Sequence, residues 1–173
     1  KRLRGGKNAD NGAFCEGPGN DYMIKKDLYF SNKYQTSVFE LQLRDPRFKF
    51  KPVQNPTIAW TVGFALRNVL TKRLGIDQRE VNVAIRDRRF TDNHLGFVLC
   101  LYDTASQGAG YVEKLLDDLI SLLREVRLSL DCPVSCDSAC QHCLLDNSSQ
   151  FKEKHLNREV AAEWLDEWLK FCS

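Results

Sequence analysis

Cys132-Pro133-Val134-Ser135-Cys136-Asp137-Ser138-Ala139-Cys140-Gln141-His142-Cys143 gathers four of the chain's seven cysteines into one short stretch. The spacing is Cys-x3-Cys-x3-Cys-x2-Cys. Four thiolates can surround one tetrahedral ion at ~2.3 Å each. The Cys140-x2-Cys143 half is a metal knuckle, whose tight turn aims two sulfurs the same way. Pro133 and the small Ser135, Ser138 and Ala139 let the remainder bend around the ion. With sulfur in all four positions there is no place for a reactive water, so the site is structural rather than hydrolytic. Zinc is the first reading; an iron–sulfur cluster also accepts four thiolates. His142 could replace one cysteine, but four sulfurs already complete the shell. His94 and His155 read as surface or capping residues.

Outward from this loop, apolar periodicity assigns the elements. Downstream, Val160, Ala161, Trp164, Leu165, Trp168 and Leu169 mark a last helix over 158–171, with Asn157 as N-cap and both tryptophans in the core. Upstream, Val112, Leu115, Leu116, Leu119, Leu122, Leu123 and Val126 predict one long helix over 111–130. Residues 96–102 form a continuous apolar run, as in a central strand covered on both faces. Val81, Val83 and Ile85 alternate with polar residues and give a strand over 80–86. Asn55-Pro56 opens a helix over 57–74 that Gly75 stops. In 35–44, Phe39, Leu41 and Leu43 lie opposite Val38 and Glu40, a half-buried strand. The expected fold class is α+β: a small sheet of three to five strands packed with two or three helices, and a four-cysteine zinc loop joining the last two helices. Residues 1–33 read as an irregular lead-in or extension, and 34–173 as the domain.

The chain has 173 residues, 43% hydrophobic and 28% charged, enough to bury a core without covalent staples. Seven cysteines, an odd number, without an apolar signal-peptide core among the first residues argue for a reducing compartment, and the expected location is cytoplasmic. Cys100 lies in an apolar run and behaves as a small hydrophobe. No apolar stretch approaches the ~20 residues needed to span a bilayer. A net charge of +2 announces no polyanion partner, so nucleic-acid contact has to come from local patches. Two such stretches exist: Arg44, Arg47, Lys49 and Lys51 interleaved with Phe48 and Phe50, and Arg86, Arg88 and Arg89 beside Phe90. Lys1, Arg2, Arg4 and Lys7 add a basic arm. The plain alternative is a solvated surface with Phe48 and Phe50 in the core. Gly108 and Gly110 precede a helix and could hold a phosphate on free N–H groups. They could also simply turn the chain, with Asp103 and Thr104 as turn or cap residues. No catalytic constellation is apparent.

Several local motifs occur in a telling order. Tyr34-Gln35-Thr36-Ser37-Val38-Phe39-Glu40-Leu41 is followed by a helix and then Leu101-Tyr102-Asp103-Thr104-Ala105. Gly108-Ala109-Gly110-Tyr111, the four cysteines ending in Cys140-x2-Cys143-Leu144, Asn147 and Gln150, and His155-Leu156-Asn157-Arg158 complete the series. Over residues 34–165 the chain resembles the helicase-associated zinc-binding domain of mitomycin-repair helicases, the MrfA zinc-binding domain, and the corresponding domain of the DISARM phage-defence accessory protein. The family's Ala-Pro-Gly-Gly-Ala-Gly turn is here Ala105-Ser106-Gln107-Gly108-Ala109-Gly110, and its asparagine–glutamine pair is split into Asn147 and Gln150. The resemblance implies Zn2+ as cofactor and a role beside a superfamily-two DNA helicase, in DNA repair or antiviral defence. No Gly-x4-Gly-Lys-Ser/Thr occurs, so the ATPase is expected on another domain or chain and this one is not itself an enzyme. Two rival functions remain. One is a zinc-stabilised scaffold that docks a helicase without contacting DNA; the other is an enzyme using the 103–110 turn for a phosphate-bearing substrate.

Overall fold

The apolar run of residues 96–102 becomes the middle strand of the sheet. In the computed structural model, which describes residues 35–172 together with the backbone of 15–17 and 20–22, the chain divides into two compact units, 1–33 and 34–173. The first contains β1 (Cys15–Gly17) and β2 (Asn20–Tyr22), paired antiparallel where the sequence suggested only irregular chain. The basic arm Lys1, Arg2, Arg4 and Lys7 lies outside the described residues.

The second unit runs β3 (Val38–Gln42), β4 (Arg44–Asp45), β5 (Lys51–Pro52), α1 (Pro56–Leu74), β6 (Val81–Arg89), β7 (Leu95–Asp103), α2 (Leu119–Ser129) and α3 (Arg158–Leu169). Strands β3, β7 and β6 form an antiparallel sheet in that order. Leu99 and Leu101 of β7 face the main core. Its opposite face carries Val98 and Cys100 in a small cluster with Phe90, and Glu40 lies across Cys100 in the register. Burial pushes the Cys100 thiol pKa up, as for an inert core cysteine.

Helix α1 is apolar on nearly every side, and such a helix belongs inside. It packs on the sheet, on α2 and on α3. Asn55 caps its start by accepting from the Thr57 N–H, and Gly75 ends it in the left-handed region at φ 67°. Gly63 sets its distance to the sheet: a Cβ there would come within 2.6 Å of Leu99 Cδ1 and 2.7 Å of Val83 Cγ1.

The long helix expected over 111–130 is two pieces. A 3-10 turn, Val112–Leu116, precedes α2, and the break falls at Asp118 (φ −159°), whose carboxylate caps α2 by accepting from the Ser121 N–H. The first piece is held by another anion. Buried Asp103 accepts from the N–H groups of Ala109 (2.9 Å), Tyr111 (3.1 Å) and Val112 (3.1 Å). Helix α3 begins at Arg158, with Asn157 accepting from the N–H groups of Glu159 and Val160. Trp164 is buried and donates its indole N–H to the Arg44 carbonyl at 3.2 Å; Trp168 is half-buried against the same core. Among the described residues no helix is long and apolar enough to cross a membrane.

Candidate metal centre and its surroundings

The loop between α2 and α3 has little regular structure, so something other than a backbone ladder must fix it. Cys132 lies three residues past the end of α2, and the N–H of Arg158, the first residue of α3, donates to the Ser138 carbonyl at 2.8 Å. Between them the sulfurs of Cys132, Cys136, Cys140 and Cys143 all lie within 4.8 Å of one another. Cys132–Cys140, Cys136–Cys143 and Cys140–Cys143 are 3.6, 3.7 and 3.8 Å apart. A tetrahedron of sulfurs ~2.3 Å from one ion has edges of about 3.8 Å. The spacing is far too long for disulfides, at ~2.0 Å. It also suits a single ion better than a multi-iron core, which spreads its thiolates over several metals. His142 is not part of the group, which consists of the four cysteines.

Local backbone geometry produces the knuckle. The N–H groups of Cys143, Leu144 and Leu145 all donate to the Cys140 carbonyl, at 3.1, 3.0 and 2.9 Å. The N–H of His142 donates to Cys140 Sγ at 3.4 Å, and that of Cys140 to Cys143 Sγ at 3.3 Å. Such donors favour thiolate over thiol. The thiols differ without a cation beside them. The Cys136 N–H draws Cys132 down to about 6, whereas burial pushes Cys143 up to about 12. Binding zinc therefore has to displace a proton from Cys143. Arg158 supplies countercharge: its side chain is 15% exposed and its Nε donates to the Cys136 carbonyl at 2.6 Å.

The loop is also fastened to α1 by a residue that the sequence reading overlooked. Arg67 lies on the buried face of α1, 1% exposed, over the Phe64 ring at 4.9 Å. Its guanidinium contacts Asp146, Ser148 and Asn68. Burial lowers the Arg67 pKa, and the Asp146 carboxylate opposes the fall. Burial also works against ionised Asp146, but the Ser149 N–H, Ser148 and Arg67 hold its carboxyl below the ordinary value. The available signal was an arginine in the mostly apolar middle of α1, between Leu66 and Val69.

The basic stretches meet at one end of the sheet. The short pairing of β4 with β5 throws out the loop 46–50. Arg44 reaches the tip of the β6–β7 hairpin, 3.2 Å from Asp92 and 4.9 Å above the Phe90 ring. Arg47 doubles back onto Asp45, with contacts of 3.0 and 2.8 Å. Arg86 and Arg88 share Glu40 at 3.5 Å each, and Arg89 donates to Asn93. Most of these arginines therefore already have partners, while Lys49 and Lys51 are exposed. Phe48 and Phe50 are 63% and 43% exposed, which corrects the reading that placed them in the core. The cause is the backbone. Lys49 and Phe50 are both left-handed, at φ 55° and 57°, which rotates the aromatics out of strand alternation.

At the 103–110 turn, the Ala109 N–H goes to Asp103, as do those of Tyr111 and Val112, and the Gly108 N–H donates to the Ala105 carbonyl at 3.0 Å. Gly108 (φ 74°) turns the chain against Ser37, and a Cβ there would lie 2.7 Å from its hydroxyl.

A sequence profile of the MrfA Zn-binding domain family matches residues 62–144. That segment, just under half of the chain, is similar to the MrfA Zn-binding domain. The matched segment starts within α1 and ends one residue past Cys143, so it includes Arg67, the sheet strands β6 and β7, the Asp103 turn and all four cysteines. The four clustered cysteines are suited to binding zinc, as the family match and the sulfur geometry both support. Among solved structures, the "DUF1998 helicase MrfA bound to DNA and AMPPNP" superposes with a TM-score of 0.53 at 15% identity, over 85% of this chain and 17% of that one. The "DUF1998 helicase MrfA bound to DNA" gives a TM-score of 0.47 at 14% identity, over 86% of this chain and 27% of that one. The first likeness establishes the shared fold. This chain spans a small part of those helicases' length. No curated protein matches it.

Proposed function

We propose that the chain is a zinc-stabilised accessory module of a superfamily-two DNA helicase, helping that helicase engage DNA in repair or phage defence. The observation that carries this reading is the MrfA Zn-binding domain match across residues 62–144. The loop 46–50 supports it: the Phe48 ring stands in solvent and the Phe50 ring, packed edge-on against Phe171, is partly exposed, both beside Arg47, Lys49 and Lys51 at the end of the sheet where Arg88 and Arg89 also emerge. Cations neutralise phosphates, and exposed rings stack on unpaired bases. Two adjacent non-glycine residues in the left-handed region cost ~1 kcal/mol or more each, strain that tends to sit at functional sites. Arg44, Arg47, Lys49, Lys51, Arg86, Arg88 and Arg89 are the proposed contact residues, with Lys49 and Lys51 foremost because the others hold carboxylate or amide partners. ATP hydrolysis belongs to another domain or subunit, and the zinc fixes the loop between α2 and α3.

The test is an anisotropy titration of the zinc-loaded chain with labelled single-stranded and duplex DNA at two salt concentrations. Binding that falls steeply with salt is expected. No binding to either DNA at low salt would overturn the DNA reading and leave a scaffold that docks a helicase partner.

A further inference from the structure

A second aromatic and basic surface follows the zinc loop in the chain. The 3-10 turn Gln150–His155 joins the loop to α3. Its ends are firmly seated. Ser149 is fully buried; its hydroxyl donates to the Leu144 carbonyl at 2.8 Å, and its own carbonyl accepts from the Lys152 N–H at 2.8 Å. Leu156 is buried, and the next N–H, of Asn157, donates to the Thr61 hydroxyl of α1 at 3.0 Å. Between these anchors Phe151 is 81% exposed, the most exposed large apolar side chain among the described residues. A ring held in water by a turn pinned at both ends is a fixed feature of the surface.

Its neighbours are cationic. Lys152 Nζ sits 4.7 Å above the ring of half-buried Trp60, which stacks on Phe64 at 5.7 Å and 20°. Lys154 and His155 are exposed, and Glu153 is the turn's one acid. Neither Lys152 nor Lys154 has an ion pair among the described residues. The arginines around the loop 46–50, by contrast, mostly have partners.

We infer that the Gln150–His155 turn is a stacking platform for an unpaired base of a single-stranded nucleic acid, with Phe151 as the ring and Lys152 and Lys154 contacting the flanking phosphates. The inference rests on the DNA reading above and adds a site to it. The charge pattern favours nucleic acid over protein: protein interfaces enrich aromatics but exclude lysine from their cores, whereas single-strand sites combine exposed rings with cations. Zinc supports the platform indirectly, because Ser149 hangs on Leu144, the residue after Cys143.

The experiment titrates the full zinc-loaded chain with a labelled oligothymidylate. It compares wild type, Phe151→Ala, Lys152→Gln/Lys154→Gln and, as a control on the other loop, Phe48→Ala. Zinc content and thermal midpoint are checked for each. Phe151 touches solvent, so its alanine variant should fold as wild type does. Loss of one base–aromatic stack should weaken binding roughly 5- to 150-fold. The double lysine variant should lower the slope of log affinity against log salt by about 1.4. If wild type binds and Phe151→Ala binds equally well, the platform is refuted while the DNA reading stands. If wild type binds neither oligothymidylate nor duplex, both fall. If Phe151→Ala disrupts association with a helicase chain but not DNA affinity, the surface is a protein interface and the inference is wrong.

Discussion

Replacing Asp103 with asparagine should destabilise the domain by about 2–3 kcal/mol. The residue is fully buried, and its carboxylate takes three backbone donors: Ala109 and Tyr111 on Oδ2, Val112 on Oδ1. Hydrogen bonds to a charged group contribute ~1.5–3 kcal/mol net, and an orphaned buried N–H costs ~1–3 kcal/mol. Asparagine keeps one oxygen. Placed at Oδ2 it still serves Ala109 and Tyr111, but its NH2 then confronts the buried Val112 N–H. One bond is lost, one donor is stranded and the charge assistance disappears. Alanine strands all three donors. The Ala109 N–H can turn to water, so its cost is about 4 kcal/mol rather than three full penalties. Against a typical total of ~5–15 kcal/mol, the asparagine variant should still fold and is the one to measure. With a slope of ~1–3 kcal/mol per molar urea, the midpoint of the zinc-loaded protein should fall by about 0.7–3 M. A change below ~0.5 kcal/mol would refute the reasoning. So would a marked rise in wild-type stability on adding inorganic phosphate, because those N–H groups would then be serving an external anion.

Three further outcomes are expected. Arg158→Gln should hasten zinc transfer to a chromophoric chelator, with Arg158→Lys partly restoring retention; equal transfer rates would show that the guanidinium beside Cys136 does not stabilise the thiolates. Gln107→Gly should raise stability by about 1 kcal/mol in urea titrations, since Gln107 is exposed at φ 72°, where glycine carries no steric penalty. The Asp146 carboxyl is held below its ordinary value when folded, so its stabilisation is present above the unfolded pKa and is lost as pH falls through the folded one. Stability at pH 2–4 should therefore decline less steeply in Arg67→Met than in wild type, and parallel declines would remove Arg67 from the cause.

Much of the architecture was legible in short-range patterns. The start and stop of α1 followed from Asn55-Pro56 and Gly75, the central strand from its unbroken apolar run, and the metal site from cysteine spacing. These signals are local, and the physics that reads them is local. The misread elements depend on distant partners. Residues 111–130 keep helical periodicity across Asp117 and Asp118, so nothing in the pattern shows that Asp103, on another strand, organises the first turn and that Asp118 restarts the helix. Phe48 and Phe50 alternate with basic residues as strand residues do, and only the left-handed backbone at Lys49 and Phe50 exposes them. Arg67 looked like one more helix-former; its role appears only when the chain after the zinc loop brings Asp146 and Ser148 to it.

X-ray absorption at the zinc edge, on protein purified without tags or added metal and paired with elemental analysis, tests the metal centre most directly. One zinc per chain with four sulfur neighbours near 2.3 Å is expected from the mutual spacing of Cys132, Cys136, Cys140 and Cys143. A mixed shell containing imidazole nitrogen, an iron signal with short metal–metal distances, or full stability without metal would contradict it.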